Sequence, residues 1–265
     1  MVSFTGTYSG SSFFELLQCD YEHLLPRFSA QAGDHLASVP HGTTVLAFRF
    51  RDGVVVAGDR LATEGHRVAS RDIEKVFATD PYSLMAISGA AGPSIEMARV
   101  LSVELEHYEK IEGAPLVLEG KANKLSQMIR QNLPAAMQGL VVVPLFAGFD
   151  TRRGLGRLWK FDITGGRYEE ANFEATGSGG LYARESLKQD WAPDFDRAAA
   201  IRAAVRALTA AAEEDRATGG VDLARRIFPI VKMGTEAGIS DASEEEIEAT
   251  YRDLLENRAA GGSSS

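Results

Sequence analysis

The chain has 265 residues, 45% of them hydrophobic and 25% charged, and a formal net charge of −9. At about 150 residues per domain this suits one large domain or two small ones, bulky enough to bury a core without covalent staples. The ordinary composition excludes a disordered, collagen-like or fibrous chain, the acidic balance argues against nucleic-acid backbone binding, and the single cysteine, Cys19, excludes an internal disulfide framework and fits a reducing compartment.

Residues 1–42 carry one basic residue, Arg27, and four acidic ones, Glu15, Asp20, Glu22 and Asp34. No Lys or Arg precedes Arg27, so the positive start of a secretory signal is missing. The longest nearly apolar run, residues 139–149, is too short to span a bilayer. A cytoplasmic protein without membrane contact is expected. Ser12 and Glu15 form a capping-box pattern, and Phe13, Leu17, Tyr21 and Leu24 recur at helical spacing, so a short amphipathic helix is expected over residues 13–25, closed by Pro26. Residues 29–42 have no period and read as an extended arm.

From Thr43 the texture is that of strands. Residues 43–50 and 54–58, around the Asp52–Gly53 turn signal, read as a hairpin. Residues 75–79 and 82–88 make a second pair around Asp80–Pro81. Residues 93–112 and 118–138 read as helices, the latter despite Pro134. Strands follow over residues 141–149, 156–162 and 167–174, then helices over 181–189 and 195–215. Residues 225–232 read as a strand in which Pro229 marks an edge or bulge. Ser243 and Glu246 cap a last helix ending near Asn257, and residues 259–265 read as a frayed tail. Runs of strands separated by pairs of helices point to layered α+β architecture rather than alternating βαβ units, and there is no repeat of 20–50 residues.

Common catalytic motifs are absent. Gly177-Ser178-Gly179-Gly180 lacks the ending of a phosphate-binding loop, and Ser178 has Thr176 rather than Gly two residues before it, so it is no nucleophile elbow. No pair of His stands at zinc spacing, so no metal is expected. What remains is an ordered set: Gly42-Thr43-Thr44 opening a strand, Gly58-Asp59-Arg60, Lys75 at a strand start, and Ser88-Gly89-Ala90-Ala91-Gly92 before a long helix. Asp59 follows Thr43 by 16 residues and Lys75 follows it by 32.

In this order the sequence resembles proteasome core-particle β subunits, of the N-terminal-nucleophile hydrolases, and most closely the actinobacterial type, over about residues 43–239. Gly177-Ser178-Gly179 matches the family's Gly-Ser-Gly turn. Asp215-Arg216-Ala217-Thr218-Gly219-Gly220 matches its Asp-x-x-Ser-Gly-Gly, with Thr218 in place of Ser. The resemblance implies a four-layer αββα sandwich and a threonine endopeptidase without a cofactor. It implies a self-removed propeptide, residues 1–42, a catalytic domain, residues 43–258, and a flexible tail, residues 259–265.

Physical chemistry fits those roles. A threonine hydroxyl is a weak nucleophile until a base takes its proton, and the freed α-amine of Thr43 can do so directly or through water. An ammonium on Lys75 would lower that amine's pKa from about 7.7–8.0, and Asp59 would fix Lys75 in place. By the family's pattern Ser178 and Asp215 hold the amine and its water, and the Gly89 N–H stabilises the oxyanion. While Gly42 acylates Thr43 there is no amine, so the uncut chain is a zymogen. Carried over by position, the pocket for the residue before the cut is Ala62, Thr63, Ile73, Phe77, Ile87, Ala91 and Ile95. The uncharged lining implies chymotrypsin-like preference. Implied partners are proteasome α subunits in an α7-β7-β7-α7 stack, a ring ATPase, and unfolded or tagged proteins. Two alternatives remain open here: a simpler self-compartmentalised threonine peptidase, and a non-catalytic ring subunit.

Overall fold

The computed structural model describes residues 43–64 and 67–262. The expected arm helix, the extended arm, Cys19 and Gly42 lie outside the described residues, as do residues 263–265.

Two five-stranded antiparallel sheets form the centre. The first has the order β10-β1-β2-β11-β12, built from β1 (Thr44–Phe50), β2 (Gly53–Gly58), β10 (Phe173–Gly177), β11 (Ile230–Thr235) and β12 (Gly238–Asp241). The second has the order β5-β6-β7-β8-β9, built from β5 (Val76–Asp80), β6 (Ser83–Ala86), β7 (Leu145–Asp150), β8 (Leu155–Phe161) and β9 (Arg167–Glu170). A separate small hairpin pairs β3 (Ala62–Glu64) with β4 (Arg67–Ser70).

The two-residue period of the strands generates the layers. Val45, Ala47, Val54 and Val56 pack with Leu84, Ala86, Leu145, Ala147 and Leu158 in a core between the sheets. The intervening residues Leu46, Phe48, Val55 and Ala57 face the other way, into a second core with α4 (Gly180–Asp190), α5 (Arg197–Glu214) and α6 (Glu244–Gly262). Met85, Ile87, Phe146, Trp159 and Phe161 face a third core with α1 (Ala91–Glu112) and α2 (Leu118–Gln131). Three cores between four layers make the expected αββα sandwich.

Local chemistry sets the helix ends. The Asp196 carboxylate accepts from the Ala199 N–H at 2.8 Å and starts α5. Ser243 and Glu246 form the expected capping box: the Ser243 N–H donates to Glu246 at 2.8 Å and the Glu246 N–H to the Ser243 hydroxyl at 3.2 Å. Beyond Asn257, α6 continues to Gly262.

Several expected elements are corrected. The helix expected over 118–138 is two: α2, and a single turn α3 (Leu133–Ala136) with Pro134 in its first turn, where it cannot donate into a preceding helix. The strand expected over 167–174 is also two, and the chain crosses between sheets at Ala171–Asn172, so β9 and β10 belong to different sheets. The strand expected over 225–232 begins only after Pro229 and runs to Thr235, between β2 and β12 rather than at an edge. The β3–β4 hairpin and β12 were not expected.

Candidate active site

The site lies at one end of the first sheet, where β1 starts, β2 and β10 end, and the first loop from β2 meets the start of β5. Thr43 immediately precedes β1 and is 6% exposed. Its carbonyl accepts from the Ser178 N–H at 2.9 Å, which fixes the residue against the turn after β10. That turn needs Gly177: its φ is +100°, and a Cβ there would stand 1.7 Å from the Thr43 carbonyl oxygen.

Asp59 and Lys75 meet beneath this point, at 0% and 1% side-chain exposure. The Lys75 ammonium donates to Asp59 Oδ1 and to the Leu61 carbonyl, both at 2.6 Å. Asp59 Oδ1 also accepts the Thr44 N–H at 2.9 Å, and Oδ2 accepts the N–H groups of Leu61 at 2.9 Å and Gly219 at 2.8 Å. One carboxylate thereby gathers the start of β1, the β2 loop, the start of β5 and the segment after α5. Burial pulls the Lys75 pKa below its ordinary value, and the attraction and hydrogen bond of Asp59, with the charge of Asp215, oppose that pull. Gly58 lets the pair pack tightly: a Cβ would lie 3.0 Å from Val45 Cγ1 and 3.4 Å from Lys75 Cβ.

A second cluster stands on the other side of Thr44. The hydroxyls of Ser178 and Thr218 both donate to Asp215 Oδ2 at 2.5 Å, and the Ala217 N–H donates to Oδ1 at 3.1 Å. Burial raises the Asp215 pKa, but these hydrogen bonds and the Lys75 charge outweigh it, so the carboxyl stays below its ordinary value. The Thr44 hydroxyl reaches this cluster, 2.6 Å from the Thr218 hydroxyl.

The Lys75 carbonyl accepts from Ile87 at 2.8 Å, and Gly89 follows two residues later. Gly89 has φ +99°, and a Cβ would come within 2.1 Å of the Val141 carbonyl, so only glycine fits. In its bridge to Val142 the two hydrogen bonds run from Ala90 to Val141 and from Val143 to Ser88. The Gly89 N–H is thus left out of the bridge's own bonding.

The expected pocket residues come from several elements. Ala62 and Thr63 stand in β3, Ile73 donates its N–H to the Arg60 carbonyl, and Ala91 opens α1. Phe77, Ile87 and Ile95 belong to the core beneath α1, and Ile87 is only 2% exposed, so it offers little wall. Arg60 pairs with Asp72, as a structural role predicts. Thr44 was missed as a site residue, although the Thr-Thr step marks it. Among the described residues no group of three His, Cys, Asp or Glu is placed to hold a metal ion, and no helix is long and apolar enough to cross a membrane.

The proteasome subunit family matches residues 39–224, a span that contains every residue of this constellation. The chain belongs to the proteasome subunit family. It is similar to a "Proteasome subunit beta" of Acidimicrobium ferrooxidans, with 53% identity over 95% of this chain and 92% of that protein. A protein of the same description from Acidothermus cellulolyticus is 48% identical over 94% of this chain and 88% of its own length. One from Streptomyces griseus is 48% identical over 95% and 90%. The family is that of N-terminal-nucleophile hydrolases, and the chain is a threonine-type endopeptidase of the β type.

Proposed function

We propose that this chain is the self-processing peptidase subunit of a proteasome core, with Thr43 as nucleophile. The observation that carries the reading is the convergence of the Thr44 N–H and the Lys75 ammonium on the buried Asp59, one residue from Thr43. An uncharged α-amine on Thr43, once Gly42 is cut away, takes the hydroxyl proton as Oγ attacks a substrate carbonyl. The Lys75 charge keeps that amine from holding its proton too tightly. Negative charge builds on the carbonyl oxygen, where the Gly89 N–H supplies stabilisation of about 3 kcal/mol. The amine then passes its proton to the leaving peptide nitrogen, and water hydrolyses the Thr43 ester. Ser178 and Asp215 hold the amine. In the uncut chain the same hydroxyl, its proton taken by water, attacks the Gly42 carbonyl; the Gly42–Thr43 C–N bond breaks, the nitrogen leaves as the protonated amine, and hydrolysis of the Gly42 ester releases residues 1–42.

As a proteasome β subunit the chain works beside α subunits in a core particle. The finer assembly we propose is α7-β7-β7-α7 in the cytoplasm, fed with unfolded or tagged proteins by a ring ATPase. Such a chamber keeps a broad peptidase away from the cell's folded proteins. The complete Thr43, Asp59 and Lys75 set disfavours a non-catalytic ring member, and 42 residues before Thr43 disfavour the simpler compartmentalised peptidase.

The test is direct. Co-assembled with its α partner, the chain should begin at Thr43 by N-terminal sequencing. Thr43→Ala should keep all 265 residues and lose peptidase activity while rings still assemble. An active assembly that retains Met1 would sink the reading. The proposed pocket, with no charged member, would favour Tyr, Phe and Leu before the cut by about tenfold to a hundredfold over Arg or Glu. Matched fluorogenic peptides ending in these residues check it.

A further inference from the structure

Given Thr43 as the nucleophile, we propose that Thr44 is a positioning residue. Its side-chain hydroxyl ties the nucleophile's strand to the Ser178–Asp215 pair, through the Gly179 N–H on one side and the Thr218 hydroxyl on the other.

Thr44 is fully buried, and its main chain is already committed: its N–H goes to Asp59 Oδ1, and its carbonyl accepts the Asp59 N–H at 3.1 Å. Its hydroxyl reaches residues far along the chain. The Gly179 N–H donates to Thr44 Oγ1 at 2.9 Å, and the Thr218 hydroxyl lies 2.6 Å away.

The direction follows from counting hydrogens. An ionised carboxylate only accepts, so Thr218 must spend its one hydroxyl hydrogen on Asp215, 2.5 Å away. Thr44 is therefore the donor in its contact with Thr218, and it accepts from Gly179. The chain runs one way: from the Gly179 N–H to Thr44, to Thr218, to Asp215. Ser178 gives its own hydrogen to the same carboxylate oxygen. Its oxygen is then left purely as an acceptor, which is what an N–H of the Thr43 amine requires. The Ser178 N–H on the Thr43 carbonyl keeps the two residues side by side.

Gly179 shows that the close approach is built in. A Cβ at this residue would stand 2.5 Å from Thr218 Oγ1 and 2.7 Å from Thr44 Oγ1. Thr44 thus touches both halves of the site, Asp59–Lys75 through its backbone and Ser178–Asp215 through its hydroxyl. It contacts no reacting atom and acts through the groups that do.

The test uses the assembled particle and two substitutions. Thr44→Val keeps the shape and removes the hydroxyl. Thr44→Ser keeps the hydroxyl. The fraction of processed, reactive subunits is counted with a covalent threonine-directed probe, so kcat is read per live site. Thr44→Val should lower kcat about tenfold to a hundredfold, the cost of a slightly misplaced reacting group, with KM within about twofold. Thr44→Ser should stay within about threefold of the parent. A purely structural hydroxyl would reduce particle yield and melting temperature but leave kcat per live site unchanged. Thr44→Val with kcat within about twofold of the parent, or Thr44→Ser as impaired as Thr44→Val, overturns the proposal. If Thr44→Val does not assemble, Thr218→Val breaks the next link and carries the same expectation and the same refutation. Thr43→Ala separates the two readings: turnover in that variant removes the nucleophile assignment, whereas an inert Thr43→Ala beside a fully active Thr44→Val removes only the role of Thr44.

Discussion

Lys75 and Arg157 are both buried cations held by carboxylates, at 1% and 4% side-chain exposure, yet their surroundings drive them in opposite directions. Arg157 donates twice to Glu169, at 2.7 Å each, and to Asp150 at 3.1 Å, with Glu119 at 3.5 Å and the Trp159 ring 4.7 Å beneath. These hydrogen bonds, that of Glu169 first, raise its pKa further above a value that never titrates. Lys75 pairs with Asp59, which divides itself among three backbone N–H groups as well. There burial wins, and the pKa falls. A cation surrounded by several carboxylates, two of them half-exposed, is locked. A cation paired with a fully buried carboxylate that also serves backbone donors is left responsive, which on the proposed reading suits a group that tunes the Thr43 amine.

The largest contrast should come from truncating each cation. Lys75→Ala should cut kcat/KM about a thousandfold in the assembled particle, in the range of a lost proton-transfer partner. Arg157→Ala should leave kcat/KM within about threefold. If the two variants lose similar activity per live site, the distinction between a responsive and a locked cation fails.

Stability should fall in both variants. Arg157→Ala leaves Asp150 and Glu169 without their shared partner and loses packing on Trp159, a cost of about 2–4 kcal/mol read as a shift in denaturant midpoint. Asp59→Asn should impair both properties. Its amide NH2 would face N–H donors at one of the two carboxyl positions, a loss of about 1–3 kcal/mol, together with most of the activity.

The smallest effect concerns pH. Because the folded-state pKa of Lys75 is depressed, the kcat/KM profile should fall on its alkaline side below 10.5, as the ammonium is lost. Between the depressed value and 10.5 the unfolded chain holds this proton and the folded chain does not, so this group alone makes stability rise with pH in that window. Lys75→Met should flatten that rise in denaturation curves taken across the window. An unchanged slope would show that Lys75 is not depressed.

Layered α+β architecture was legible in the order of strand runs and helix pairs, and the four-layer sandwich in the family resemblance that Thr43, Asp59, Lys75 and Gly89 carry. What escaped had too little pattern to read. The strands β3 and β4 span three and four residues, fewer than two full alternations. The division of β9 from β10 falls at Ala171–Asn172, with neither Gly nor Pro to mark it. Pro229 was seen, but its effect was to delay a central strand rather than to weaken an edge. Thr44 looked like one more β-branched strand residue. Its polar task depends on partners 135 and 174 residues away, which no local window contains.

The turn at Gly177–Ser178 grips the carbonyl of Thr43, and Asp59 grips the N–H of Thr44, main-chain groups that cleavage before Thr43 does not touch. On the proposed reading the working parts are therefore in register before the first cut, and no hinge has to swing to arm them. Switching on is then the breakage of one bond, a molecular fuse rather than a latch. Each copy crosses that line once, by itself, and cannot be returned to its dormant form. The safety of the precursor rests on when the bond breaks, and so on the order in which subunits come together.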